Sequence, residues 1–210
     1  NYVKGGNSRD LVDTVLDILE NYPPQAVKLL MNHIGTHDTA RILTVLGKEN
    51  EQAGDRAWQS AQKLTDEEYS RGVRLLKLAA VLQFTLPGVP SVYYGDEAGM
   101  QGYGDPFCRA GYPWDKENTE LLEFYKKLGN FRRNSPVFAS GEFEPVYANF
   151  GDIVYIRRKG NNAVLVAVNR WHEPSEIDIP AEFAAAKPVF GGMPINGKLQ
   201  LPAEGFAVLV

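Results

Sequence analysis

The stretch that most restricts how this chain can fold is Ala26-Val27-Lys28-Leu29-Leu30-Met31-Asn32-His33-Ile34-Gly35-Thr36-His37-Asp38-Thr39-Ala40-Arg41, an apolar run that stops abruptly in Gly-Thr-His-Asp. A strand inside a parallel sheet is covered on both faces, so it reads as a continuous apolar run rather than an alternating one. The loop beyond the C-terminal end of such a strand is where α/β folds carry binding and catalytic groups. The run therefore predicts a buried strand over 26–34 that delivers His37 and Asp38 side by side. The same residues also allow a structural reading, in which Asp38 caps a helix over 39–46 and His37 bonds locally. His33, inside the apolar run, reads as a core histidine rather than a ligand, and no spacing marks a metal site.

A second unit of the same kind begins at Leu86: Leu-Pro-Gly-Val-Pro-Ser-Val-Tyr-Tyr-Gly-Asp-Glu-Ala-Gly-Met-Gln-Gly-Tyr-Gly-Asp-Pro-Phe-Cys-Arg-Ala-Gly-Tyr-Pro-Trp, ending at Trp114. A Pro-Gly turn leads into a short strand over 90–94 and then an acidic, Gly-rich loop. Asp96 and Glu97 follow the strand directly, and carboxylates at such a turn bond backbone amides and hold the loop. Tyr93, Tyr94, Tyr103, Tyr112 and Trp114 are core candidates that could also stack on a flat ligand.

Three spaced segments, Gly35 to Arg41, Gly88 to Met100 and Asp105 to Arg109 (Asp-Pro-Phe-Cys-Arg), together resemble the α-amylase family of glycoside hydrolases. Within it they look most like the neopullulanase and cyclomaltodextrinase group. The resemblance implies a barrel of eight βα units followed by a C-terminal β-sandwich, with the first motif similar to the seventh strand and the second to the eighth. The expected fold class is thus α/β plus all-β: the C-terminal quarter of a (β/α)8 TIM barrel over 1–135, then an antiparallel β-sandwich domain over 136–210. With most of the barrel missing and no initiator Met at Asn1, the expectation is a C-terminal fragment of a longer enzyme.

Retaining glycoside hydrolysis needs a carboxylate nucleophile and a carboxylic acid roughly 5 Å apart. In the resembled family these come from strands four and five, and this chain holds neither motif. What the resemblance carries over is Asp38 as the third carboxylate, which stabilises the positively charged transition state, and His37, which bonds a neighbouring sugar hydroxyl. Asp105 and Arg109 match the family's pair that grips a glucose unit on the non-reducing side of the cleavage point. Such a pair suits a sugar because vicinal hydroxyls both donate and accept. Without the family, a loop salt bridge is the alternative reading. Thr36 stands where the family most often has Asn and the neopullulanase group often Ser.

The implied function is cleavage of α-1,4-glucosidic bonds in an α-glucan oligosaccharide or polysaccharide by the parent enzyme, with the isolated fragment inactive. A transglycosylase of the same family and a non-catalytic carbohydrate-binding or interaction protein are the alternatives. No cofactor is expected. Net charge is −4, and no basic cluster exceeds Arg132-Arg133 and Arg157-Arg158, so neither nucleic acid nor an anionic membrane is an expected partner. No apolar run approaches a membrane span. The open edges of a broken barrel predict self-association through the barrel remnant. The single cysteine, Cys108, has no evident base beside it and reads as a buried small residue. The residues leave bacterial cytoplasm and secretion equally open.

Elsewhere, Leu11, Val12, Val15, Leu16, Ile18 and Leu19 form a helical stripe over 9–21, stopped by Pro23-Pro24. Residues 48–63 are a polar, Gly-containing insertion. Thr65-Asp-Glu-Glu68 is a capping-box pattern opening a helix that carries Val73, Leu75, Leu76, Leu78, Ala79, Val81 and Leu82. Asn118 is placed to cap another helix, with Leu121, Leu122, Tyr125 and Leu128 on one face and its end near Asn134. After Pro136 the pattern changes to short runs rich in Val, Ile, Tyr and Phe at 143–148, 153–158, 163–169, 176–179, 188–190, 198–201 and 206–210. Turn signals such as Gly160-Asn161-Asn162 and Asn196-Gly197 separate them. Trp171 and His172, at an apparent turn among these strands, offer a further surface for a sugar.

Overall fold

The computed structural model describes residues 2–48 and 54–210. In chain order they form α1 (Ser8–Asn21), α2 (Pro24–Val27), β1 (Met31–Asn32), α3 (Ile42–Gly47), α4 (Arg56–Ala61), α5 (Asp66–Thr85), β2 (Val89–Pro90), α6 (Thr119–Asn134) and α7 (Val137–Ser140). The strands β3 (Glu142–Asn149), β4 (Asp152–Lys159), β5 (Asn162–Asn169), β6 (Ser175–Asp178), β7 (Pro188–Gly191), β8 (Pro194–Ile195), β9 (Lys198–Leu201) and β10 (Gly205–Leu209) follow. The fold mixes helices with sheets, and β3 to β10 make two antiparallel sheets, ordered β3-β4-β5-β10-β7 and β6-β9-β8. Chain contacts separate two units, one of Asn1–Leu30, Thr85–Val89 and Phe131–Val210, the other of Met31–Phe84 and Pro90–Asn130. No described helix is long and apolar enough to cross a membrane.

In the first unit, Asn7 caps α1 by accepting the Arg9 N–H at 2.9 Å, and the stripe read from the sequence buries Val12 and Val15. The seven strands expected after Pro136 all form, each within one residue of its expected bounds. One apolar cluster joins Val154, Ile156, Leu165, Ala167, Ala207 and Leu209 of the larger sheet to Ile177, Leu199 and Leu201 of the smaller, with Phe183 beside them. Both faces of β4 are buried, so its residues do not alternate. On the other face, the Tyr155 ring lies 5.1 Å from Phe143 and its hydroxyl bonds the Thr85 hydroxyl at 2.5 Å. Asn196 and Gly197 both take positive φ (51° and 79°), the geometry of a two-residue hairpin turn between β8 and β9. Strand β8 and helix α7 were not expected. Two and four residues long, they are too short to show a period.

In the second unit, the capping box opens α5 as expected: the Thr65 N–H donates to Glu68 Oε2 at 2.8 Å and the Glu68 N–H to Thr65 Oγ1 at 3.2 Å. Every apolar residue assigned to this helix is buried. Asn118 caps α6 by accepting the Leu121 N–H at 3.0 Å, and Leu121, Tyr125 and Leu128 turn inward. Part of the polar insertion, residues 49–53, lies outside the described residues, and α4 occupies its far end.

Four local expectations are corrected. The strand expected over 26–34 contracts to β1, because Pro24 sits in the first turn of a helix that takes in Ala26 and Val27. Leu29 and Met31 are 77% and 68% exposed, not covered on both faces, and β1 has one neighbouring strand among the described residues. The second strand likewise shortens to β2, and residues 94–99 form turns. The helix expected over 39–46 starts at Ile42 behind Arg41, so Asp38 caps nothing, and His33 is exposed rather than a core residue. The Val89 N–H donates to the Leu30 carbonyl at 2.7 Å and the Ser91 N–H to that of Asn32 at 2.9 Å, bonds that advance in the same direction along both segments. Gln83 of α5 steadies this short pairing by donating to the Asn32 and Ser91 carbonyls at 3.0 and 2.9 Å.

Candidate active site

Residues 35–41 leave β1 and turn sharply. The Thr36 hydroxyl accepts the Asp38 N–H at 3.3 Å and meets the Thr39 hydroxyl at 3.3 Å, a side-chain turn that fixes the backbone without using the Asp38 carboxylate. That carboxylate, 69% exposed, has His37 Nε2 3.2 Å from Oδ2 and Arg109 Nη2 3.4 Å from Oδ1. Arg109 is shared: its Nε lies 3.2 Å from Asp105 Oδ1 and donates to the His37 carbonyl at 3.0 Å. The fully buried Cys108 thiol donates to the same carbonyl at 3.1 Å. His37, Asp38, Asp105 and Arg109, drawn from two segments far apart in the sequence, thus form one cluster.

Exposed ion pairs contribute roughly 0–1 kcal/mol each to stability, so this cluster is not what holds the unit together. It presents acceptors on Asp38 and Asp105, a planar five-donor guanidinium on Arg109 and an imidazole on His37, a set that can bind neighbouring hydroxyls in both directions. Among the described residues, no group of three or more His, Cys, Asp or Glu is placed to hold a metal ion.

Beneath the exposed cluster lies a buried one. Arg41 Nη1 is 3.3 Å from Asp96 Oδ1 and also donates to the Tyr94 carbonyl, and the guanidinium lies over the Tyr93 and Tyr94 rings, 4.3 and 4.6 Å from their centres. Burial pushes the Asp96 carboxyl up to about 6, against the pull of Arg41 and with a further push from Glu97. Glu97 accepts the Gly95 N–H at 2.9 Å and so holds the turn, the role read for it in the sequence. The partnership of Asp96 with Arg41 was not read. The two lie 55 residues apart, and an Arg before a helix carries no local signal that it will be buried.

The aromatic residues divide. Tyr93 and Tyr94 serve the buried pair, and Tyr103 meets Trp58 edge to face at 5.2 Å. The Tyr112 and Trp114 rings lie 4.6 Å apart, tilted at 51° to each other, with the indole exposed. In the other unit, His172 Nδ1 lies 3.1 Å from Glu204 Oε1 beside a half-exposed Trp171.

Residues 7–120 match the family model for the α-amylase catalytic domain. The chain is 42% identical over 145 residues to an amylopullulanase of Thermoanaerobacter thermohydrosulfuricus, covering 69% of this chain and 9% of that protein. It is 33% identical over 180 residues to a cyclomaltodextrinase of Geobacillus thermopakistaniensis, covering 84% of this chain and 27% of that one. The chain therefore spans between about a tenth and a quarter of the length of these curated relatives. Among solved structures, the type III pullulan hydrolase from Thermococcus kodakarensis superposes with a TM-score of 0.79 at 26% identity, over all of this chain and 34% of that one. By its motifs, its sequence relatives and its fold, this chain belongs to the α-amylase family.

Proposed function

We propose that this chain is part of an α-glucan hydrolase that cleaves α-1,4-glucosidic bonds with retention, in the neopullulanase and cyclomaltodextrinase style. In this reading residues 1–135 are the last two βα units of the catalytic barrel and residues 136–210 a β-sandwich domain. Asp38 stabilises the developing oxocarbenium charge, His37 bonds an adjacent hydroxyl, and Asp105 with Arg109 holds a glucose unit on the non-reducing side. The observation that carries the reading is the convergence of Asp38 and Arg109, 3.4 Å apart, on one exposed polar surface in a chain of this family.

Residues 1–210 include neither the nucleophile motif nor the general-acid motif of that chemistry, so we expect no turnover from them alone. Incubation with maltoheptaose, followed by reducing ends, tests this, and turnover that survives purification would refute it. In the full-length enzyme carrying these residues, product analysis on maltodextrin separates transfer to water from transfer to a sugar, the mark of a transglycosylase. Exposed Met31, Val92 and Tyr94 further suggest that the isolated chain self-associates through the barrel remnant. A strictly monomeric species by light scattering at high concentration would sink that expectation.

A further inference from the structure

Both ends of the loop that carries His37 and Asp38 rest on one buried carboxylate. At its start, Gly35 packs so closely on Asp96 that a Cβ there would lie 2.4 Å from Asp96 Oδ2. At its end, Arg41 reaches back to within 3.3 Å of Asp96 Oδ1, and its own N–H is held by the Gly102 carbonyl at 2.9 Å. Asp96 is itself seated in a tight turn: its N–H donates to the Tyr93 carbonyl at 3.1 Å and its carbonyl accepts the Gly99 N–H at 3.2 Å. Residues 36–40, by contrast, stand at the surface or only partly buried. The loop is pinned at residues 35 and 41 and free to present its side chains between them.

The pair is poorly arranged for stability alone. Among the described residues Arg41 Nε, Arg41 Nη2 and Asp96 Oδ2 are buried with no hydrogen-bond partner. A buried ion pair repays its desolvation only when its remaining donors and acceptors are satisfied. What this pair secures is the distance between two hinge points. A displacement of about 1 Å at a reacting group costs on the order of a hundredfold in rate.

We propose that Asp96 is a positioning residue for the hydrolysis assigned above, clamping Gly35 and Arg41 so that Asp38 and His37 stand in register with Arg109. The inference rests on the α-glucan hydrolase reading. Asp96 is 1% exposed, out of reach of a ligand at the surface, so it acts only through the loop.

The test uses the full-length enzyme carrying these residues, with maltoheptaose as substrate, at a temperature well below the unfolding midpoint of each variant. Asp96→Asn lowers kcat about tenfold or more while KM stays within about threefold, because the loop shifts without loss of a sugar contact. Asp96→Glu does not rescue it, since the added methylene drives the carboxylate into Gly35. Gly35→Ala lowers kcat in the same way by pushing on the clamp from the opposite side, and it decides the matter if the Asp96 variants do not fold. If Asp96→Asn and Gly35→Ala both keep kcat within about threefold of wild type, or raise KM in step with any loss of kcat, the clamp is wrong. Asp38→Asn is the control: if it keeps the wild-type rate, it is the hydrolase reading that fails.

Discussion

Two buried arginines, one in each unit, are handled in opposite ways. Arg157 on β4, 2% exposed, has no carboxylate partner among the described residues and donates instead to four carbonyls: Thr85 at 2.6 Å, Gly141 at 2.9 Å, Glu142 at 3.2 Å and Val137 at 3.4 Å. Burial lowers its pKa to about 10, and the charge is solvated by a shell of backbone dipoles that ties the end of α5, α7 and β3 to the larger sheet. Arg41 has a carboxylate and two tyrosine faces, yet two of its nitrogens lack partners among the described residues. Unpartnered buried atoms occur at Ser8, Gln83, Tyr125 and Asp152 as well, so what separates the two arginines is the kind of partner each is given. On the clamp proposed above, the Arg157 network maintains the fold and the Arg41 network maintains a geometry.

If that division is right, changes in the second unit's exposed cluster should cost rate without stability, and changes around Arg157 should cost stability. The largest effect is expected from Asp38→Asn in the full-length enzyme, a loss of about a thousandfold in kcat with an unchanged thermal midpoint, because the carboxylate is exposed. A midpoint that fell with the rate would blur the division. Next comes Arg157→Met, which takes a donor away from the buried Thr85 and Val137 carbonyls and the less buried Gly141 and Glu142 carbonyls and should cost about 1–3 kcal/mol by urea unfolding. A cost below about 1 kcal/mol would put Arg157 among the ordinary surface residues and break the comparison.

A smaller effect follows from Asp96. Burial raises its folded pKa to about 6, above the roughly 3.9 of an unfolded aspartate, so folding favours the protonated form. Its contribution to stability is complete below about pH 4 and is lost as the pH climbs through about 6. Urea midpoints should therefore fall over that interval in the wild type, and the fall should be absent in Asp96→Asn. Equal pH slopes in the two proteins would show that Arg41 neutralises the carboxylate fully. Smallest is Arg109→Ala in the full-length enzyme. On the proposed reading it removes a remote sugar contact, and it should raise KM about tenfold, with kcat within about threefold. A kcat loss as deep as that of Asp38→Asn would move Arg109 from substrate grip into the chemistry.

The amino-acid sequence by itself determined whatever rests on local pattern. The capping box at Thr65 and Glu68, the Asn118 cap, the helical stripe before Pro23 and the seven strands after Pro136 are all set by residues a few positions apart, and all form as expected. The motifs around Asp38, Asp96 and Arg109 also stood out, because their residue types and order are those of the α-amylase family. Only the tertiary structure decided the rest. The run from Ala26 could not tell its own strand length, since a strand extends only where a neighbour pairs with it and β1 has one such neighbour among the described residues. Nor could it tell that Arg41 would turn inward to Asp96 while Asp38, three residues earlier, would stay in solvent. Burial and charge pairing depend on segments brought together from distant parts of the chain, and no local pattern carries that information.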